Sequence, residues 1–200
     1  MKVEECIKRF DNLMLPAWCD LYKDFIDSQK TLRPMGTSGG IDKSTRNVEG
    51  VSFSFSNMLQ LNSWSKQKKI DTVPNVLMFH SVVKQLEIPL LNYNTMFKNI
   101  YNINLLQVDF LKYDVNGKYE VHSDQGADSK DRLLTAIINL NQDYEGGDFE
   151  FYDPKNNRDV IRKEKLNKGS IMIFPSNFIY PHSVRPITKG KRYSLVCWMG

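Results

Sequence analysis

The chain has 200 residues, 41% of them hydrophobic, and a formal net charge of +4, which suffices for one domain with a packed core and is short for two. No run of about 18 apolar residues occurs, and this excludes a membrane-spanning helix. The three cysteines, Cys6, Cys19 and Cys197, are odd in number and lack zinc-finger spacing. They predict reduced thiols in a cytoplasmic protein rather than a disulfide framework.

The charge pattern gives no sign of a secretory signal or of a nucleic-acid interface. The first residues, MKVEECIKRFDNLM, mix both signs and hold no apolar segment, so we expect no secretory signal. The densest basic cluster, Lys66, Lys68 and Lys69, has no aromatic residues between the lysines. This pattern favours a solvated surface, and we expect neither a nucleic-acid partner nor a membrane partner.

The first fifty residues predict one helix and one long loop. Residues 12–29 carry an apolar stripe at helical spacing, with Pro16 suited to the first turn. The stripe consists of Trp18, Leu21, Tyr22, Phe25 and Ile26. We interpret this segment as a helix packed on a sheet. Residues 31–50 hold four glycines together with Ser, Thr and Pro, a composition typical of a loop.

The next fifty residues predict a strand and further helix. In VSFSFS, residues 51–56, apolar residues alternate with serines, which is a strand signature. Residues 75–87 predict a helix that Pro89 ends or kinks, with another turn or two of helix over 90–100. His80 falls inside this helix, and we interpret it as a satisfied histidine on a helix face rather than a metal ligand.

The second hundred residues are rich in short strands separated by turns. Strand patterns occur over residues 103–114, 119–124, 133–141, 148–153, 170–174 and 192–198. Asn116-Gly117 and Glu145-Gly146-Gly147 mark turns, while residues 125–131 and 154–159 are polar loops. Many short strands with turns between them predict an antiparallel sandwich or barrel.

His122 and Asp124 are separated by one residue near the end of a predicted strand. Side chains alternate along an extended segment, so this imidazole and this carboxylate point the same way. The chain has three histidines, and His182, beside a late strand, is the expected third ligand. Two histidines and one carboxylate on one face of a metal, with open positions opposite, form the facial triad of non-haem Fe(II) oxygenases.

Ligands at strand ends, with the third beside a late strand, fit a jelly roll whose two sheets hold the metal near one open end. We therefore predict a mainly β fold in which N-terminal helices cover one sheet. Residues 1–200 are expected to form one domain. Within it, residues 1–100 supply helical and strand support, and residues 103–199 form the catalytic core.

Several motifs follow one another in a defined order within the second half of the chain. They are Tyr113 with the Asn-Gly turn and Tyr119, His122-Ser-Asp124, RLLTAIINLN over 132–141, Gly146-Gly147-Asp-Phe149, Lys168-Gly-Ser-Ile, Pro181-His182, and Gly-Lys-Arg192-Tyr with Trp198. This ordered set resembles the 2-oxoglutarate- and Fe(II)-dependent dioxygenases, and within them the prolyl 4-hydroxylase-like branch. One HxD motif alone is a weak signal, whereas the ordered set is specific.

The resemblance implies the double-stranded β-helix (jelly-roll) fold, with His122, Asp124 and His182 as iron ligands. It also implies that Arg192 binds the distal carboxylate of 2-oxoglutarate, where a guanidinium forms a bidentate, charge-assisted pair. The neighbouring Lys191 points to the opposite face of the strand. The implied cofactors are Fe(II), 2-oxoglutarate and O2, with ascorbate as a further candidate.

Three more residues are predicted to bind the co-substrate. Tyr113 is interpreted as a hydrogen-bond donor to it, with a core tyrosine as the alternative. Thr135 and Asn139 share one face of a strand that is expected to look into the barrel. Relatives often carry a tyrosine or an aliphatic residue at the Asn139 position, yet the Asn139 amide is still a candidate donor to the distal carboxylate.

The implied reaction is decarboxylation of 2-oxoglutarate to succinate and CO2, coupled to hydroxylation of a C–H bond. By analogy with the branch, the favoured substrate is a prolyl residue in a peptide or protein. A cytosolic target is preferred to a collagen-type one, because the sequence shows neither a secretory signal nor a disulfide framework. The loops at 31–50 and 125–131 are candidates for gating the site.

Several alternatives stay open at this point. They are the same chemistry on a small molecule or free amino acid, a jelly-roll binding module without turnover, a zinc hydrolase on the same ligands, and a nucleic-acid demethylase. An intact triad together with Arg192 argues against a binding module. A hydrolase has no use for a dicarboxylate anchor, and the arginine pair typical of the demethylase branch does not occur in this sequence.

Overall fold

The computed structural model describes residues 2–37, 39–56, 65–97 and 103–200, which form two antiparallel sheets and flanking helices. The helices include α1 (Pro16–Ser28) and α2 (Lys66–Met96). The strands are β1 (Lys8–Phe10), β2 (Arg33–Pro34), β3 (Arg46–Asn47), β4 (Glu49–Ser54), β5 (Leu105–Tyr113), β6 (Lys118–His122), β7 (Leu134–Asn139), β8 (Glu145–Gly146), β9 (Phe149–Tyr152), β10 (Val160–Glu164), β11 (Ile171–Pro175), β12 (His182–Val184), β13 (Ile187–Lys189) and β14 (Arg192–Met199).

One sheet has the strand order β1-β11-β7-β14-β5-β4-β2, and the other has the order β10-β9-β12-β6-β3. β8 and β13 pair in a separate ribbon. Neighbouring strands run antiparallel in both sheets. The predicted jelly roll, with N-terminal helices on one sheet, is confirmed. None of the helices in the described ranges is both long and apolar enough to span a lipid bilayer.

The central strands of the seven-stranded sheet are buried on both faces, and alternation assigns each side chain to one of them. In β14, Tyr193 and Leu195 join residues of α1 and α2 in one apolar cluster. Arg192, Ser194 and Trp198, on the opposite face of the same strand, line a cavity between the sheets. One strand thus separates an outer helical layer from an inner site.

The helix predicted over residues 12–29 is confirmed, and it begins at Pro16. Within its stripe Tyr22, Phe25 and Ile26 are buried, whereas Leu21 is exposed. The Phe25 ring packs edge-on against Phe110 of β5, with ring centres 5.1 Å apart. The helix is therefore held by its apolar face on the sheet, as the spacing predicted.

The segments predicted as a helix over 75–87 and further turns over 90–100 form a single helix, α2, that runs through Pro89. Of the two outcomes predicted for Pro89, an end or a kink of the helix, the end is wrong. Burial on both sides of the proline explains this outcome, because Leu86 and Tyr93 pack into the same cluster, and the Tyr93 hydroxyl donates to the carbonyl of Cys6 at 2.8 Å. Residues 98–102 and the side chains of the Lys66, Lys68 and Lys69 cluster lie outside the described part of the chain.

The segment predicted as a loop over residues 31–50 contributes an edge strand to each of the two sheets. It contains β2, which pairs with β4, and β3, which pairs with β6. These strands have two residues each, too few for an alternating pattern to be visible in the sequence. For the same reason the pattern missed β1, β12 and β13, which have three residues each.

The two predicted glycine turns have different outcomes. The Asn116-Gly117 turn is confirmed, with Asn116 at φ 66° and the Gly117 N–H donating to Asp114 at 2.7 Å. The segment predicted as a turn at Glu145-Gly146-Gly147 instead begins with β8, which pairs with β13.

Asp27 of α1 accepts hydrogen bonds from two strands of the sheet, β5 and β14, and one from within its own helix. Its carboxylate accepts from Lys112 of β5 at 2.9 Å, from the Tyr193 hydroxyl of β14 at 2.9 Å, and from Lys23 at 3.2 Å. Burial alone raises the pKa of Asp27, but the three donors outweigh it and hold that pKa below its ordinary value. A depressed pKa stabilises the fold above the unfolded-state pKa, and this contribution is lost as pH falls through the folded-state pKa.

We expect Asp27→Asn to lower the free energy of unfolding by about 1 kcal/mol at neutral pH. The difference from wild type should shrink at acid pH, where the native carboxyl becomes protonated. Urea unfolding at several pH values measures both effects. Asp24→Asn, an exposed position on the same helix, is the matched control and should leave stability unchanged. An equal loss in both variants would contradict the assigned role.

Candidate active site

The three predicted metal ligands converge at one end of the five-stranded sheet. His122 is the last residue of β6, His182 is the first residue of β12, and the two strands pair with these histidines opposite each other. Nε2 of His122 lies 3.6 Å from Oδ1 of Asp124, and Nε2 of His182 lies 3.5 Å from Oδ2. One ligand atom from each residue falls within 4.8 Å of the others. This spacing lets one ion contact all three.

Backbone carbonyls fix the orientation of both imidazoles. Nδ1 of His122 lies 2.8 Å from the Glu120 carbonyl oxygen, and Nδ1 of His182 lies 2.9 Å from that of Tyr180. Each Nδ1–H can donate to its carbonyl, which leaves each Nε2 lone pair for a metal. Burial, and then the neighbouring His122, lower the pKa of His182 to about 4. The His182 ring is therefore neutral at physiological pH, as a metal ligand must be.

Asp124 supplies the negative charge of the site. Its Oδ2 accepts a hydrogen bond of 2.6 Å from the hydroxyl of Thr135, which also lies 2.8 Å from the hydroxyl of Ser176. Burial alone raises the pKa of Asp124, but the two histidines and Thr135 outweigh it and hold that pKa well below its usual range. Two neutral imidazoles and one carboxylate are a donor set that fits Fe(II).

A cavity runs from these ligands to Arg192, the first residue of β14. Arg192 is only 2% exposed, and it forms no ion pair with any acidic residue in the described ranges. Its Nε donates to Oδ1 of Asn139 at 3.3 Å, and its guanidinium carbon lies 5.2 Å from the centre of the Tyr113 ring. A buried cation is costly without a counter-charge, so this position suits an anionic group of a ligand.

Three other residues are predicted to bind the co-substrate. Two of them, Asn139 and Thr135, form hydrogen bonds that orient neighbouring side chains of the site. The Asn139 amide nitrogen donates to the carbonyls of Asn141 and Leu166, at 2.6 and 2.9 Å. Asn139 thus holds Arg192 through its oxygen and keeps no amide donor free for the co-substrate. Thr135 donates its hydroxyl hydrogen to Asp124. Tyr113 lines the cavity, and its hydrogen bond to the co-substrate stays a prediction.

Sequence reasoning missed Ser194, which lies two residues after Arg192 and on the same face of β14. Its hydroxyl is buried and has no hydrogen-bond partner among the described residues, and its side chain lines the cavity that holds Arg192. The alternation of a strand, counted on from Arg192, was sufficient to identify it.

Gly147 makes room for the arginine. Its φ of 68° lies in the left-handed region, and a Cβ there would come within 2.4 Å of the Ile187 side chain and 3.3 Å of Cδ of Arg192. The second glycine of the Gly-Gly motif therefore lets the backbone approach the Arg192 side chain closely.

A wider cavity of about 510 Å³ opens beside His122 and Asp124. Residues 35–37, Thr45 and Arg46 line it together with residues 126–129, and its remaining wall includes Gln107, Asp109, Arg132 and Trp198. Its volume falls in the range typical of small-molecule and cofactor sites. Both loops predicted to gate the site contribute to its walls.

A jelly roll, a 2-His-1-carboxylate cluster and a buried arginine without an acidic partner among the described residues are together typical of non-haem iron oxygenases that use a dicarboxylic co-substrate. Residues 108–200 match the family model of the 2OG-Fe(II) oxygenase superfamily. This part of the chain, just under half of it, is similar to the oxygenase domains of that superfamily.

Related sequences carry hydroxylase names. The chain is 30% identical to a PKHD-type hydroxylase of Gloeothece citriformis, over 45% of this chain and 40% of the relative. It is 34% identical to human prolyl 3-hydroxylase 2, over 34% of this chain and 9% of the human protein. The chain thus spans less than half the length of these two relatives.

Solved structures support the fold. A viral collagen prolyl hydroxylase from Paramecium bursaria Chlorella virus-1 superposes with a TM-score of 0.63 and 17% identity, covering 97% of this chain and 95% of that one. A prolyl hydroxylase of Trichoplax adhaerens, solved with a peptide fragment, gives a TM-score of 0.69 and 15% identity, with 97% and 83% coverage.

Proposed function

We propose that this protein is a 2-oxoglutarate- and Fe(II)-dependent dioxygenase that hydroxylates a prolyl residue in a peptide or protein. The observation that carries the proposal is the placement of a facial triad and an unpaired, buried Arg192 on the walls of one cavity. A zinc hydrolase on the same ligands would leave this arginine without a function.

In the proposed site His122, Asp124 and His182 would hold Fe(II) and leave its opposite face open. The bound iron would supply the oxidising power that couples decarboxylation of 2-oxoglutarate to C–H hydroxylation by O2. Arg192 and Ser194 would bind the distal carboxylate of the co-substrate, with a charge-assisted pair from the guanidinium and a hydrogen bond from the hydroxyl. Asn139 would keep Arg192 in place, and Tyr113 would form part of the same cavity wall.

The wider cavity is the proposed substrate site. It adjoins two metal ligands and is bordered by two surface segments, residues 35–37 and 126–129, which suits a peptide laid across the opening. The names of the related hydroxylases support a prolyl target. The three cysteines are buried, which fits a reducing cytoplasm. A free amino acid or another small molecule is the alternative substrate, and a requirement for ascorbate stays a prediction.

Succinate formation tests the dioxygenase activity, and the mass of the peptide tests the prolyl target. The protein is incubated with Fe(II), 2-oxoglutarate and O2, together with a proline-containing peptide, the same peptide with alanine in place of proline, or free proline. We expect succinate and one added oxygen atom with the proline peptide only. Equal yields in all three mixtures would contradict the prolyl target, and no succinate in any mixture would contradict the dioxygenase activity.

A further inference from the structure

Arg46 lies outside the part of the chain that matches the oxygenase family, yet it is close to the metal ligands. It is 7% exposed and lies opposite Tyr119 where β3 pairs with β6. Its guanidinium carbon is 4.7 Å from the centre of the Tyr119 ring. The Tyr119 ring is stacked on the His122 imidazole, with ring centres 3.5 Å apart and planes at 16°. Tyr119 therefore contacts both the guanidinium and a metal ligand.

The guanidinium itself is held on two sides. Nη2 of Arg46 pairs with Oδ2 of the buried Asp109 at 3.4 Å, and Nη1 donates to the Gly36 carbonyl at 2.7 Å. The other carboxylate oxygen of Asp109 accepts from Gln107 at 2.9 Å. Arg46 is thus fixed both to a central strand of the seven-stranded sheet and to the wall of the wider cavity.

The two histidine ligands differ in how they are supported. The rings of Phe149, Phe151 and Phe174 surround His182, whose side chain is 3% exposed. The His122 side chain is 16% exposed, and Tyr119 is stacked on it with ring centres 3.5 Å apart, closer than the 5.0 Å at which Phe149 is stacked on His182. Besides the Glu120 carbonyl, Tyr119 is therefore the main contact among the described residues that orients the His122 ring, whereas three phenylalanines share this role around His182.

We infer that Arg46 is a positioning residue for the metal site, which acts by holding Tyr119 against His122. This inference rests on the proposed metal site. The Arg46 guanidinium lies over the Tyr119 ring although its buried Nε has no hydrogen-bond partner among the described residues. The position of Arg46 thus favours the contact with the ring over a hydrogen bond from Nε. Residues that orient a ligand change metal affinity by roughly 10- to 100-fold when they are replaced.

Mn(II) binding to the full chain, without co-substrate, measures this role directly. We expect Tyr119→Leu and the double variant Arg46→Met/Asp109→Asn to bind Mn(II) about 10-fold more weakly than wild type. The double variant avoids leaving Asp109 as an unpaired buried charge. Tyr119→Phe keeps the stacked ring and should bind like wild type. Arg162→Met/Glu164→Gln removes an ion pair of 2.6 Å in β10 and is the matched control, with wild-type affinity expected.

Thermal melting without metal identifies the variants that fold. If the double variant does not fold, Arg46→Lys replaces it, because it keeps a cation for Asp109 but loses the planar group over the ring. Its affinity should lie between those of wild type and Tyr119→Leu. Wild-type Mn(II) affinity in a folded Arg46 variant would overturn the inference, as would wild-type affinity in Tyr119→Leu. A wild-type protein that binds no Mn(II) contradicts the proposed metal site instead, so the two failures are distinguishable.

Discussion

Alanine in place of His182 is expected to abolish succinate formation and to weaken Mn(II) binding by more than about 100-fold. The loss should exceed the 10- to 100-fold effect of residues that only orient ligands, because the variant removes one of three ligand atoms. Burial also lowers the pKa of His182 to about 4, so its ring is in the neutral form that binds metal. Isothermal titration with Mn(II) and an assay for succinate measure the two effects.

His80→Ala is the matched control, since His80 is exposed on α2 and away from the triad. It should bind metal and turn over like wild type. His182 packs among phenylalanine rings, so His182→Gln, which keeps more of the side-chain volume, distinguishes lost ligation from lost packing. Succinate formation at the wild-type rate in a folded His182 variant would refute the proposed metal site.

Glutamine in place of Arg192 is expected to weaken 2-oxoglutarate binding to the Mn(II)-loaded protein by roughly 30- to 4,000-fold. Truncating one partner of a buried, hydrogen-bonded charge pair costs about 2–5 kcal/mol, and each 1.4 kcal/mol is a factor of ten. Mn(II) affinity should be unchanged, because Arg192 contributes no metal ligand. Arg185→Gln, with a side chain 52% exposed, is the control and should bind 2-oxoglutarate like wild type.

A second ligand shows which end of the co-substrate Arg192 recognises. 2-Oxopentanoate has the same five carbons and the same 2-oxo acid group but lacks the distal carboxylate. Wild type and Arg192→Gln should bind it with equal, weak affinity, because neither complex contains the carboxylate–guanidinium pair. If Arg192→Gln weakens both ligands to the same degree, the arginine does not recognise the distal carboxylate.

The sequence alone was sufficient to predict that His122, Asp124 and His182 converge and that Arg192 lies near them. An HxD spacing on an extended segment fixes the relative direction of two ligands, and the ordered motifs supplied the third. Strand patterns in the second hundred residues held because long alternating or apolar runs are strong local signals. The helix at Pro16–Ser28 was visible for the same reason.

The residues that hold the site in place could not be predicted, because their roles depend on contacts between distant parts of the chain. The Arg46–Asp109 pair joins residues 63 positions apart, and no local pattern links them. The role of Asn139 depends on the Leu166 carbonyl, 27 positions away, which takes up one of its amide hydrogens. Pro89 stays inside α2 because tertiary burial of its neighbours outweighs the local preference of proline to end a helix.

A crystal structure of the full chain grown with Mn(II) and 2-oxoglutarate would show where the metal and the co-substrate bind. We expect one anomalous peak within bonding distance of Nε2 of His122, Nε2 of His182 and the Asp124 carboxylate. We also expect the distal carboxylate of 2-oxoglutarate on the Arg192 guanidinium. A metal bound elsewhere, or a co-substrate whose distal carboxylate lies away from Arg192, would refute the proposed site.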